Sequence, residues 1–195
     1  NKISLNNSLI LKGIGDDCAV IKSQEKKETL ISSDLLVEGV HFDTTYMSLI
    51  HIGYKAVIVN LSDVYSMNAE PSQITISLAV SNKYSVEDLE DLYEGVNLAA
   101  KNYKINVVGG DVSASFSGLI ISITVLGFQG RKKIVYRSGA KKNDLIVVSG
   151  DLGASYLGLQ LLQREKTILD EHKLPRLALD DIKDKLKDYK YLIQR

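Results

Sequence analysis

Four acidic motifs in the first 111 residues each place an aspartate beside glycine or a hydroxyl residue. They are Gly13-Ile14-Gly15-Asp16-Asp17, Ser32-Ser33-Asp34, Asn60-Leu61-Ser62-Asp63 and Gly109-Gly110-Asp111. At each, a chain can turn and expose a carboxylate. Hard cations such as Mg2+ take oxygen ligands and keep part of their water. Carboxylates converging from separate segments repel one another unless cations sit between them. A magnesium site holding a polyphosphate is the simplest chemistry that uses all four.

Each motif also has a plainer use. Two glycines in Gly13–Asp17 allow a tight bend and close approach to a ligand, or a solvated acidic turn. A strand over Thr29–Ser33 would deliver Asp34 at its carboxyl end, flanked by the Ser32 and Ser33 hydroxyls. His41 follows Gly39 in a loop, where an imidazole could meet a phosphate or fix a loop–helix junction. Asn60 and Asp63 share one helix face in an otherwise apolar segment. Such a buried polar pair needs a partner, and either a magnesium ion or a structural hydrogen bond would serve. Lys55 could neutralise an acidic ligand or snorkel to solvent. Gly109-Gly110-Asp111 fits a turn whose N–H groups face phosphate and whose carboxylate faces metal, or an ordinary β-turn. Arg137 could clamp a phosphate. Cys18 reads as a small core residue at a strand start.

The elements that must hold these residues follow from periodicity. Cys18–Ile21 and Thr29–Ser33 read as a hairpin. Met47–Met67 reads as a long helix, stopped shortly before Pro71. Gln73–Val80 alternates as a strand. Ser85 is placed to cap a helix with Asp88 three residues on, and apolar residues from Val86 to Tyr103 keep helical spacing. Ile105–Val108 and Leu119–Gly127 complete a β-β-α-β-α-β-β order, an α+β layout with helices on one face of a sheet. Past a boundary near residue 140, Asp144–Ser149 reads as a strand, Gly150–Gly153 as a loop and Ala154–Gln163 as a helix. Arg164–Arg176 is poorly patterned, and Leu179–Ile193 reads as a charged amphipathic helix or as a segment awaiting a missing partner. The expected domains are 1–140 and 141–195.

Composition excludes several classes. The 24 basic residues balance 24 acidic ones, which argues against a nucleic-acid binder relying on bulk charge. No apolar run approaches the ~20 residues that span a bilayer, and no signal peptide is visible, so the expectation is a cytoplasmic protein without membrane partners. One cysteine cannot form an intrachain disulfide framework or a cysteine zinc cluster. There is no Gly-x-x-x-x-Gly-Lys-Ser/Thr loop and no protein-kinase motif set. The chain opens at Asn1 and closes on an apolar-periodic segment, and is expected to lack sequence at both ends.

In order, the motifs resemble the thiamine-monophosphate kinase family. That family lies within the superfamily of aminoimidazole ribonucleotide synthetase, selenophosphate synthetase and the hydrogenase-maturation dehydratase. The matching stretches are residues 13–20, 34–42, 53–63, 67–71, 109–111 and 137–140. The specific part is Val37-Glu38-Gly39-Val40-His41-Phe42 together with Asn60-Leu61-Ser62-Asp63.

The resemblance implies a ferredoxin-like N-terminal domain that dimerises through its sheet, followed by the start of a truncated α+β C-terminal domain. It implies several Mg2+ ions held by Asp17, Ser32, Ser33, Asp34, Asp63 and Asp111, with Asp16 an addition. His41 would contact thiamine monophosphate, and Tyr93, Gly110, Asp111 and Arg137 would contact ATP. Asp34, Asp63 and Asp111 would carry the catalytic metals. The implied reaction passes the γ-phosphoryl of ATP to thiamine phosphate, giving thiamine diphosphate, the last step of that cofactor's biosynthesis. Other implied readings are another ATP-dependent superfamily member, or a silent dimeric nucleotide-binding fragment. Two positions depart from the pattern: Asn68 replaces a glycine, and Val112 replaces a threonine, leaving Ser113 as the nearby hydroxyl. The family's second aspartate cluster would lie beyond Arg195.

Overall fold

The computed structural model describes residues 8–23 and 26–172. The chain divides into two units between Ala140 and Lys141. In the first, the order is β1 (Ile10–Lys12), β2 (Ala19–Ile21), β3 (Glu28–Val37), α1 (Leu49–Ser66), β4 (Glu70–Val80), α2 (Val86–Tyr103), β5 (Asn106–Ala114) and β6 (Leu119–Gln129), closed by a 3-10 turn at Arg131–Lys133. The strands form one sheet in the order β1-β2-β3-β6-β4-β5. All neighbours are antiparallel except β4 and β5, which are parallel and joined through α2.

Both helices cover one face. The inward residues of the central strands alternate along the chain, as a half-buried sheet requires: Leu30 and Leu36 of β3, Ile121, Ile123 and Val125 of β6, Ile74, Ile76 and Leu78 of β4. Helix α1 buries Ile52, Gly53, Ala56, Val57, Asn60, Leu61 and Val64. This stripe packs on the sheet and on α2. Each large apolar side chain in it contributes roughly 1.5–3 kcal/mol by leaving water.

Two glycines set the helix–helix distance. A Cβ on Gly53 would stand 2.0 Å from the Leu92 carbonyl oxygen, and one on Gly95 would stand 1.8 Å from that of Ile50. The backbones therefore touch, and no larger residue fits at this spacing.

Local signals explain the helix ends. Ser48 accepts from the His51 N–H at the start of α1. Ser85 and Asp88 form a reciprocal capping box on α2. Helix α1 ends at Ser66 and the chain turns through Asn68 in the left-handed region, φ 56°, a conformation asparagine tolerates. Pro71 thus does not stop the helix; it lies inside β4 beside a register irregularity, a position proline accepts.

Other boundaries differ from the sequence reading. Strand β3 runs on to Val37, so Asp34 lies inside it, opposite Ile123. Gly109-Gly110-Asp111 is not a turn but the middle of β5. The glycine there serves close approach, since a Cβ on Gly110 would meet the Ile76 carbonyl oxygen at 1.9 Å.

In the second unit, 144–149 forms no strand, and Leu145, Ile146 and Val147 are 84–95% exposed. A strand needs a neighbour for its backbone groups, and none pairs with it among the described residues. Helix α3 (Ala154–His172) runs well past Gln163. The expected helix Leu179–Ile193 lies outside the described residues. No described helix is long and apolar enough to cross a membrane.

Candidate active site

Strand alternation puts Ser32 and Asp34 on the helix-covered face, and helical spacing turns Asn60 and Asp63 of α1 toward them. Ser32 Oγ donates to Asp63 Oδ2 at 2.6 Å. The Asp34 N–H donates to Asn60 Oδ1 at 3.0 Å, because β2 pairing has stopped at Ile31 and leaves that N–H without a ladder partner. Asn60 Nδ2 donates back to the Ala56 carbonyl at 2.9 Å. Asn60 is fully buried, and both ends of its amide are hydrogen-bonded. Of the two roles open to it from sequence, the structure gives it the hydrogen-bonding one: it fastens the backbone of Asp34 to α1.

The Asp34 carboxylate meets no hydrogen-bond donor among the described residues. Burial raises its pKa, and repulsion from Asp63 raises it further, with His41 partly offsetting both. Burial likewise pushes the Cys18 thiol up to about 12, reinforced by Asp63, Asp17, Asp16 and Asp34. Cys18 is 2% exposed and stays a thiol, a core residue as its sequence setting suggests. Each of these four carboxylates lies in electrostatic reach of Cys18.

Asp16 and Asp17 arrive on the β1–β2 loop and meet the segment that follows the 3-10 turn. Arg137 directs Nε and Nη2 at Asp17 Oδ1, with Nε at 3.0 Å. This contact holds Asp17 below the usual carboxylate range. The Arg137 N–H donates to Asp16 Oδ1 at 3.1 Å. Asp16 Oδ2 is buried without a hydrogen bond, although Lys12 Nζ stands 3.4 Å away as a poorly aligned ion pair.

His41 sits on the loop after β3. Its Nδ1 accepts from the Val37 N–H at 3.0 Å, and its carbonyl accepts from Lys55 Nζ at 2.8 Å. Lys55 therefore neither neutralises a carboxylate nor points freely to solvent; it staples this loop to α1, and burial lowers its pKa.

Ser33 and Asp111 lie on the other face of the sheet. Ser33 Oγ donates to the Ile123 carbonyl at 3.2 Å and pairs with Thr124 Oγ1 at 3.0 Å. Asp111 is opposite Ser77, with Gly110 and Ser113 beside it on exposed β5. Two strands separate β5 from β3, about 14 Å at the usual spacing. Tyr93 is half-buried on α2 against the core. The structure thus gathers Ser32, Asp34 and Asp63 closely, Asp16 and Asp17 with Arg137 beside them, and keeps Ser33, Gly110 and Asp111 apart from them. Glu38, read from sequence only as part of a motif, also turns out to be a hub at the end of β3. Lys83, Tyr84 and the Leu119 N–H, which meet it, are 45 or more residues away, and no local pattern announces them.

Among the described residues, no three His, Cys, Asp or Glu side chains converge closely enough to hold one metal ion. A magnesium ion does not need three, since it commonly takes one or two carboxylates, water and substrate phosphates. The residues present fit it: the available donors are hard oxygens, the Asp34 carboxylate is unpaired, and its repulsion with Asp63 is the kind a cation relieves.

Residues 15–129 match the family model of the AIR synthase related protein, N-terminal domain. Thiamine-monophosphate kinase of Bacillus subtilis (strain 168) is 33% identical over 94% of this chain and 64% of its own length. The solved structure of AaThiL complexed with AMPPCP and TMP is 40% identical, with a TM-score of 0.73, over 78% of this chain and 48% of that one. Thiamine monophosphate kinase from Aquifex aeolicus is 38% identical, with a TM-score of 0.69, over 79% and 50%. The chain therefore spans about half to two thirds of the length of these relatives. With that match running from the acidic β1–β2 loop to the end of β6, the chain belongs to the AIR synthase related protein family, through its N-terminal domain.

Proposed function

We propose that this chain supplies the ATP- and magnesium-binding region of a thiamine-monophosphate kinase. The observation that carries the reading is the meeting of β3 and α1, where Ser32, Asp34 and Asp63 converge with His41 in electrostatic reach of Asp34. It is supported by similarity to AaThiL, which was solved with AMPPCP and TMP.

The acceptor would be a phosphate oxygen of thiamine monophosphate, already anionic at neutral pH. No strong general base is then required, and the barrier is largely charge repulsion and positioning. Bound Mg2+ would neutralise the polyphosphate and stabilise the charge on the transferring group. Asp34 and Asp63 are suited to hold such ions, with the Ser32 hydroxyl beside them. Asp17 and Arg137 satisfy each other here; exchange of Asp17 onto a cation would free the Arg137 guanidinium for an ATP phosphate. His41 would meet the phosphate of thiamine monophosphate.

Ser33 and Asp111 require a further element. The sheet face that carries Ser33 and Asp111 is without a covering layer among the described residues and exposes Leu35 at 55%. A homodimer packed through this face would cover it and bring the metal- and nucleotide-binding roles of Ser33 and Asp111 to the seam between two copies, while Gly110 and Tyr93 would meet ATP from the helix-covered side. We place the reaction in the cytoplasm.

The test uses the full-length protein with Mg-ATP and thiamine monophosphate, following thiamine diphosphate by chromatography. Magnesium-dependent product is expected. A folded, ATP-binding protein that makes none would reject the reading.

A further inference from the structure

Glu38 collects donors from three separate regions of the fold. Tyr84 Oη donates to Oε2 at 2.7 Å and the Leu119 N–H at 2.9 Å. Lys83 Nζ donates to Oε1, which Thr44 Oγ1 also approaches at 3.4 Å. Lys83 Nζ further donates to Thr44 Oγ1 at 3.1 Å, tying the far side of the same loop. Gly118 leaves room for this, since a Cβ there would stand 2.9 Å from Oε2. A carboxylate with so many converging donors is a fixed point.

What it fixes is the loop that bears His41. Residues 38–42 fold back on β3: the His41 N–H donates to the Val37 carbonyl at 2.9 Å and the Gly39 N–H to the Phe42 carbonyl at 2.8 Å. Gly39 has φ 80°, which L side chains rarely adopt. Phe42 is buried. Lys55 holds the same loop from α1. Within it, His41 Nδ1 accepts the Val37 N–H, so the imidazole proton belongs on Nε2.

We propose that Glu38 and Lys55 are positioning residues that hold the His41 loop so that the exposed imidazole presents Nε2–H, as a preset donor, to the phosphate of the acceptor substrate. This rests on the kinase reading for its ligand; the loop arrangement does not. Neither residue touches the reacting atoms. Each acts by removing alternative directions and tautomers of His41 before substrate arrives.

The experiment uses full-length protein with 15N-labelled histidine. Long-range proton–nitrogen spectra report the His41 tautomer, and steady-state kinetics report KM for each substrate separately. The wild type is expected to show His41 as one Nε2–H tautomer. Glu38→Ala, and independently Lys55→Met, are expected to give tautomer averaging. Both should raise KM for thiamine monophosphate on the order of 10- to 100-fold, with the KM for ATP changed by less than about twofold. Lys55→Met leaves the Glu38 hub intact, so a misfolded Glu38→Ala does not end the test, and Lys55→Arg should restore some of the effect.

An averaged His41 in the wild type overturns the proposal. So does a Lys55→Met enzyme with unchanged tautomer and unchanged substrate KM, or equal losses for both substrates. A protein that turns over no thiamine monophosphate, yet shows the tautomer and its loss in both variants, rejects the kinase reading and supports the loop arrangement.

Discussion

Replacing Asn60 with aspartate changes one NH2 for one oxygen and leaves the volume alone, which makes it a sharp probe of the junction between β3 and α1. Asn60 is fully buried and uses both ends of its amide, accepting from Asp34 N–H and donating to Ala56 O. The introduced carboxylate, when ionised, would still accept from Asp34 N–H. It would lose the donor to Ala56, about 1 kcal/mol, and face that carbonyl as an anion. Full burial raises a carboxyl pKa by roughly 3–5 units, and Asp34 and Asp63 push in the same direction. At about 1.36 kcal/mol per unit, and with only about 3 units between the unfolded value of about 3.9 and pH 7, the cost at neutral pH is roughly 4 kcal/mol, a large share of a typical domain's stability.

The sign follows from the raised folded pKa of an acid. Below the unfolded value of about 3.9 the side chain is protonated in both states and can donate to Ala56, so the penalty is absent. It then grows with pH until the folded pKa is passed. The assay is urea unfolding of Asn60→Asp and wild type between pH 4 and pH 8, each with and without Mg2+. The expected result is near-equal midpoints at the acidic end and a wide gap at pH 8. Equal midpoints at pH 8 would refute the account. Full recovery with millimolar Mg2+ would show instead that Asn60 lies against a metal.

Asp63→Asn should keep the Ser32 contact and the fold but lose magnesium-dependent phosphoryl transfer, measured as thiamine diphosphate formed; an active variant would remove Asp63 from the metal site. Gly95→Ala must push apart the α1 and α2 backbones, because its Cβ would otherwise stand 1.8 Å from the Ile50 carbonyl oxygen. It should cost at least the upper end of the roughly 1–3 kcal/mol typical of overpacking, read as a lower urea midpoint. Arg137→Ala should raise the KM for ATP while shifting thermal stability little, because the Arg137 side chain is itself 63% exposed. For Glu38, burial raises the carboxyl but the hydrogen bonds from Lys83, Tyr84 and the Leu119 N–H outweigh it, leaving a lowered pKa. Its contribution to stability is present above the ordinary value of 4.5 and fades as pH falls through the folded value; Glu38→Gln should flatten that region of the acid unfolding profile.

What could be read in advance was what depends on neighbours in sequence. Ser85 caps α2 because its partner is three residues away, and Asn68 takes the left-handed turn because its own side chain permits it. The carboxylates of β3 and α1 were legible as a set because their spacing puts each pair on one face. Gly109 and Gly110 misled for a physical reason: glycine marks both a turn and a close approach, and only the position of Ile76 across the ladder separates the two. The run 144–149 has strand composition without a strand beside it, and composition cannot supply a partner. Helix α3 extends past Gln163 through residues that favour helix without making an apolar stripe, so propensity carried what periodicity did not. The face on which Asp111 stands was set by strand register, which no stretch of β5 encodes alone.

Strand β5 has one further consequence. It is the last strand of the sheet and bonds only β4, so among the described residues one row of its backbone groups is left without a ladder partner. It exposes Val107, Val108 and Val112 and carries neither lysine nor proline, the usual deterrents against stray pairing at such a border. Its one charge is Asp111. The residue proposed to meet nucleotide and metal is therefore also the strand's single gatekeeper against aggregation. Neutralising it would endanger solubility as well as catalysis, so a loss of yield in an Asp111 variant has to be separated from a loss of chemistry.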